Sequence, residues 1–323
     1  MSFVGARSPV RGAHSVEIPA PTSRSWPEEA RTLQVRVACY SATKSALGLL
    51  TGIAVGREDL PDIDAAVCDY VPELRGSAYD RVTIRHVLTM TSGVGWVEDY
   101  RDPHGPAVAL LARWREGTGG SRDLLRSIPR GDPPGTRFAY CSPDSLVLDW
   151  VRERATGQPF AAALGDLWDV LGAEQPAILG LDAAVEDGGI AVAAAGLALS
   201  ARDWARIGVL QVDGCWRGTR VLDPAWVVAS SRPERPFLRP GRLPGTITTH
   251  AGFGYHWWPL DPGGKRVMAD GMQGQFVCVD RSRRTVVLKT SVWPFEDPEW
   301  DRQCRDLCYV ALPAIAAAAG RQT

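Results

Sequence analysis

Apolar and polar positions change period several times along this chain. Residues 33–41, LQVRVACYS, alternate as a short strand does. Beyond them Ala46, Leu49, Leu50, Ile53 and Ala54 recur at helical spacing, and Gly56 then Pro61 mark the stop. The stretch YDRVTIRHVLTMTSGV reads as a turn and then a helix from about Ile84 to Met90, ended at Gly93. Further helices are predicted at about 105–116, 121–127, 142–156 and 159–171, separated by Gly and Pro. The third of these turns Leu146, Val151 and either Leu148 or Trp150 inward. SARDWARIGVLQVDG is another helix with Ser200 as its N-cap, and DPAWVVASS a shorter one. GFGYHWWPL, RVMADGMQGQFVCVD and RTVVLKTSVW alternate and carry β-branched and aromatic residues, so they read as strands. A last helix spans about 297–312, and residues 1–30, rich in Pro, Ser and Arg, read as an extended or loose lead-in. A strand, many helices, consecutive strands and a final helix give an α+β protein: a mainly antiparallel sheet with segregated helices, not a doubly wound parallel sheet.

Composition narrows the function classes. The chain has 323 residues, 45% of them apolar, which is ample for one large domain or two intimate ones. The net charge of -1 and the absence of like-charge blocks argue against a nucleic-acid or anionic-membrane surface. No apolar run reaches membrane-spanning length, the N-terminus has no apolar signal core, and YVALPAIAAAAG is short and interrupted by Pro313. A soluble cytoplasmic protein is expected. The seven cysteines are odd in number and dispersed, which fits reduced thiols. Cys304 and Cys308 share a helix face, but no neighbouring His or Cys pair completes a tetrahedral set, so no metal site is expected.

Lysine is scarce. Of 36 basic residues only Lys44, Lys265 and Lys289 are lysine; the other 33 are arginine. Arginine stays protonated and cannot take up a proton, whereas a buried lysine can. Ser41 and Lys44 are three apart at the head of an apolar helical stretch, so they share a face if a helix starts near Ser41. A serine hydroxyl becomes a useful nucleophile when a base is within hydrogen-bond reach, and a helix N-terminus favours an oxyanion. S-x-x-K alone remains a weak pattern, since many such pairs are an exposed cap followed by a solvated lysine.

Several ordered motifs sharpen it. Ser41-Ala42-Thr43-Lys44-Ser45 and VTIRHVLTMTSGVGW resemble the serine hydrolases of the class C β-lactamase and penicillin-binding-protein superfamily. PPGTRFAYCS resembles the second motif region, with Tyr140-Cys141-Ser142 in place of Tyr-x-Asn. LGAEQPAILGLD, GGIAVAAAGLALSARDWARIG, GFGYHWW and GMQGQF look like the 6-aminohexanoate-dimer-hydrolase branch, and the resemblance covers roughly residues 35–310. It implies a β-lactamase/transpeptidase-like fold. The sheet region would come from 1–80 and 200–323, the helical region from 81–199, and the active site would lie at their junction. With only forty residues before Ser41, one sheet edge is expected to be thin.

The resemblance implies roles as well. Ser41 would be the acylated nucleophile and Lys44 its proton shuttle. Tyr140, with its phenol pKa lowered by Lys44, would be general base and then acid. The backbone N–H groups of Ser41 and Met272 would form the oxyanion hole, and Gly271 would allow close backbone approach. Ser142 would offer one hydrogen bond where the family has an asparagine. The third motif departs: Ala269-Asp270-Gly271 stands where penicillin-recognising members carry Lys-Thr-Gly, and Lys289-Thr290-Ser291 lies on the next strand with no following glycine. Little β-lactamase activity is therefore expected. A free Asp270 carboxylate would favour a substrate with an amine or another hydrogen-bond donor.

Trp96, Trp257 and Trp258 are candidates for an apolar pocket or for core packing. Tyr100 and Asp99 are candidate substrate contacts, and His86 reads as structural. The function expected is cleavage of a small ester or linear amide through a Ser41 acyl-enzyme, with no cofactor or metal, as a monomer or homodimer. Three alternatives stand beside it: a transacylase passing the acyl group to an amine or alcohol, a D-amino-acid peptidase, and a non-catalytic binding protein on the same fold.

Overall fold

The computed structural model describes residues 14–21, 35–234, 253–294 and 297–319. The chain folds into two four-stranded antiparallel sheets with helices packed around and between them. The first sheet has the order β1 (His14–Ile18), β3 (Ala177–Leu181), β4 (Leu197–Ser200), β2 (Arg36–Ala38). The second has the order β10 (Thr285–Lys289), β9 (Gln275–Asp280), β8 (Arg266–Gly271), β7 (Trp258–Pro259). A two-residue hairpin, β5 (Cys215–Trp216) with β6 (Thr219–Arg220), stands apart.

Apart from the short α2, which the periodicity does not indicate, the helices lie close to where it places them. They are α1 (Thr43–Gly56), α2 (Val67–Tyr70), α3 (Ile84–Leu88), α4 (Pro106–Glu116), α5 (Ser121–Ser127), α6 (Ser142–Thr156) and α7 (Phe160–Leu171). Then come α8 (Ala201–Asp213), α9 (Pro224–Ser230) and α10 (Pro298–Ala319). Ser200 caps α8, its hydroxyl accepting from the Asp203 N–H. α10 runs past the expected end near 312, through Pro313. β1 turns part of the expected loose lead-in into a strand; most of residues 1–30 lies outside the described residues. β3 and all of β4 but Ser200 fall inside the 81–199 stretch read as helical, so that stretch supplies two strands to the first sheet. Alternation in AILGL and LALS is too short to stand out against the flanking helices.

Two cores flank the site. The larger buries α1 and α6 almost completely, with Leu47, Leu49, Val147 and Val151 at its centre. The smaller packs Phe253, Trp258, Met268, Phe276 and Tyr309 between the second sheet and α10. Ser45 on α1 donates to the carbonyl of His256. The His256 ring lies between the Ser145 hydroxyl of α6, 3.0 Å from Nε2, and the Leu88 carbonyl, 3.0 Å from Nδ1. Burial pulls the imidazole pKa down to about 3, so it is neutral at working pH and fixes α1 against α6 without bringing a charge. No helix among the described residues is long and apolar enough to cross a membrane.

Candidate active site

Ser41 sits in a single 3-10 turn, Tyr40–Ala42, that feeds directly into α1. Ser41 is therefore two residues ahead of the α-helix expected to start there, and Lys44 is in its first turn. β2 ends just before this turn, where the Cys39 N–H donates to the Leu197 carbonyl at 2.8 Å and fastens it to the first sheet. The end of β8 presses on it from the other side. A Cβ on Gly271 would stand 2.2 Å from the Cys39 carbonyl oxygen and 3.3 Å from the Ala42 nitrogen. Only glycine lets the two backbones meet. This contact sets Met272, the next residue, beside the serine turn.

Lys44 is 2% exposed and makes three hydrogen bonds, none with a formal charge. Its Nζ lies 2.9 Å from the Ala194 carbonyl, 3.2 Å from Ser142 Oγ and 3.4 Å from Ser41 Oγ. Burial penalises the ammonium and lowers the pKa to about 8, with the nearby Glu98 carboxylate opposing part of the drop. A neutral amine gives its two N–H bonds to Ala194 and Ser142 and keeps a lone pair for the Ser41 hydroxyl.

Tyr140 lies in the segment before α6, with its phenol near the Ser41 side chain. Its ring stacks on Trp258, with centroids 5.8 Å apart and planes 17° apart, and Lys44 Nζ lies 5.0 Å from the ring centroid. The phenol pKa is raised, first by burial and then by Glu98, whereas the family resemblance implies a lowered one. The reason is geometric: the lysine lies over the face of the ring, and a carboxylate faces the same pocket. The raised pKa keeps the Tyr140 phenol protonated, while Lys44, lowered to about 8, is the more easily deprotonated of the two.

Glu98 is the residue that sequence reasoning missed. Its Oε2 accepts from the Ser142 N–H at 2.9 Å, which caps the start of α6, and from the Trp96 indole N–H. Its Oε1 accepts from the hydroxyls of Ser142 and Tyr100. Trp96 and Tyr100 thus give their polar hydrogens to the carboxylate, and Ser142 links it to Lys44. The signal was present: in W-x-E-x-Y, extended chain puts residues 96, 98 and 100 on one side and Asp99 on the other. Asp99 duly turns outward to Arg101, its Oδ1 3.0 Å from that residue's N–H.

Three other candidates move. Asp270 is not a free carboxylate in the cleft. Arg305 of α10 donates to its Oδ1 and Tyr309 to its Oδ2, the latter at 2.8 Å, and the side chain is buried. Alternation along β8 explains this, since Gly271 faces the serine turn and Asp270 the opposite face, toward α10. Trp258 is 3% exposed, so it supports Tyr140 from beneath and does not line the opening. Trp257 lies in the larger core. His86 closes a capping box with Thr83 at the start of α3. A cavity of about 500 Å³ opens at the far end of α1, beside Ile53, Arg152 and Leu222, and includes none of these groups.

Two antiparallel sheets with packed helices, and a serine beside a buried lysine at the head of α1, define an α+β protein of the β-lactamase/transpeptidase-like class. The sequence profile of the Beta-lactamase family matches residues 29–302, and the chain belongs to that family. It is 32% identical over 271 residues to a 6-aminohexanoate-dimer hydrolase from Paenarthrobacter ureafaciens, an alignment covering 80% of this chain and 66% of that protein. It is 37% identical over 139 residues to Esterase EstB from Burkholderia gladioli, covering 39% of this chain and 34% of that one. The chain thus spans about two thirds of the first relative's length and a third of the second's. The fold also matches a β-lactamase from Mycobacterium bovis with a TM-score of 0.58 at 16% identity, covering 92% of this chain and 93% of that one.

Proposed function

We propose that the protein is a serine hydrolase that cleaves a small ester or linear amide through an acyl-enzyme on Ser41. The observation that carries this reading is Lys44: a fully buried amine, its pKa pulled to about 8, within 3.4 Å of an accessible serine hydroxyl. Named relatives that act on an amide and an ester agree with it.

The proton balance closes on three side chains. Ser41 Oγ attacks the carbonyl carbon as its proton passes to the neutral Lys44 amine. The oxyanion is held by the N–H groups of Ser41 and Met272. Tyr140 gives its phenolic proton to the leaving group, which departs as an alcohol or amine. Water then attacks the acyl carbon and yields a proton to the phenolate. Lys44 returns its proton to Ser41 Oγ as that bond breaks, and the acid leaves. Neither metal nor cofactor enters a step. With Asp270 occupied by Arg305 and no lysine at that strand position, β8 offers no free cation to a β-lactam carboxylate, so β-lactams are poor substrates.

Intact-protein mass after exposure to a fluorophosphonate and to an activated ester tests the reading. Wild type gains the adduct and Ser41→Ala does not. An ester adduct that decays in water alone marks a hydrolase; one that waits for an added amine or alcohol marks a transacylase. Equal silence from both proteins would sink the acyl-enzyme and favour a binding protein.

A further inference from the structure

Tyr40 and Gln273 stand next to the two residues whose N–H groups would hold the oxyanion, and both have left-handed backbone, with φ of +47° and +58°. That region favours glycine, and non-glycine residues persist there when surrounding contacts hold them. The two are bonded to each other: the Tyr40 hydroxyl donates to Gln273 Oε1 at 2.8 Å, across 233 positions of sequence. Tyr40 is 6% exposed, so the bond is sheltered. The far side of the 272–274 turn is tied down separately. Ser291 Oγ donates to the Gln273 carbonyl at 2.9 Å, and Lys289 Nζ donates to Ser291 Oγ at 2.7 Å.

We propose that Tyr40 and Gln273 are a pair of positioning residues whose side-chain hydrogen bond fixes the distance between the Ser41 and Met272 N–H groups. The inference rests on the acyl-enzyme reading above. Glycine at 40 or 273 would satisfy the backbone without strain, but it could not make the bond. The serine turn belongs to the first sheet and the 272–274 turn to the second, so an oxyanion hole built from both needs a tie between them. Backbone contact at Gly271 brings the two together, and the Tyr40–Gln273 bond sets the remaining freedom. Preorganised donors work only at the correct separation, and a misplacement well under a residue's length costs rate rather than binding.

The test uses Tyr40→Phe, Gln273→Gly, Gln273→Glu and the Tyr40→Phe/Gln273→Gly double variant, with active sites counted by fluorophosphonate adduct. Tyr40→Phe and Gln273→Gly are each expected to lose about 10- to 100-fold in kcat per labelled site with KM nearly unchanged. Gln273→Gly relieves the left-handed backbone, so its Tm is expected to stay within a few degrees of wild type while kcat falls. Gln273→Glu keeps an acceptor and is expected to keep most of the rate. The double variant is expected to lose no more than either single one, as a shared bond requires. Unchanged kcat in Tyr40→Phe, a Tm that falls in step with kcat in Gln273→Gly, or losses that multiply in the double variant would each overturn the pair while Ser41 labelling still stands. Absence of any Ser41 adduct in wild type would remove the acyl-enzyme reading and this inference with it.

Discussion

Lys44 and Glu98 are joined through one hydroxyl. Ser142 Oγ accepts from Lys44 Nζ at 3.2 Å and donates to Glu98, whose other oxygen takes the Ser142 backbone N–H. A buried amine and a carboxylate therefore face each other at one remove, never in direct contact. The arrangement leaves the amine deprotonable, since a direct ion pair would lock it as ammonium.

In the proposed mechanism Lys44 serves as a base, not as a charge. Lys44→Arg keeps a cation at the head of α1 but cannot accept the serine proton. A fall in kcat/KM of about 100-fold or more is expected, as for loss of a general base. Steady-state kinetics on an activated ester check this, and near-wild-type rates in the arginine variant would contradict it.

The rate should rise with pH through the Lys44 pKa of about 8 and level off above it, because the neutral amine is the active form. The charged or titratable groups acting on it are Glu98 and the buried Cys141 thiol, and both favour the ammonium. Glu98→Gln removes an anion, so the pKa falls and the rising limb moves to lower pH. A pH profile of kcat/KM for both proteins decides the matter. A limb that stays fixed, or moves upward, would refute Glu98 as the group that tunes Lys44.

Gly271 is required by contact. Gly271→Ala puts a Cβ 2.2 Å from the Cys39 carbonyl, so β8 or the serine turn must shift. The expected cost is about 1–3 kcal/mol of stability, with slower Ser41 labelling in the fraction that remains folded. Urea unfolding and labelling rates measure the two effects.

The Asp270–Arg305 pair is structural. Side-chain exposures of 3% and 4% mean that removing one partner leaves the other charge buried. Arg305→Met is expected to lose about 3–5 kcal/mol, and adding Asp270→Asn should recover a large part of it. Denaturant titration of the single and double variants would show this. If Asp270→Asn instead left stability intact and changed preference toward amine-bearing substrates, the carboxylate would belong to the specificity site after all.

The helices other than α2, the Ser200 cap and the pairing of Ser41 with Lys44 are legible in the sequence alone. Ser200 caps α8, α6 begins and ends at residues 142 and 156 as read, and Ser41 and Lys44 fall together at the head of α1. These features depend on neighbours within a turn or two, where periodicity and capping act. Tertiary structure alone decided where the carboxylates point. Asp270 turns from the cleft because α10, more than thirty positions later, supplies Arg305 and Tyr309 on that face of β8. Glu98 enters the site because Ser142, 44 positions on, brings it both an N–H and a hydroxyl. The phenol pKa of Tyr140 follows the same rule, since burial and a carboxylate distant in sequence raise it. A charge is placed by whatever desolvates it and whatever neutralises it, and both come from chain remote in sequence.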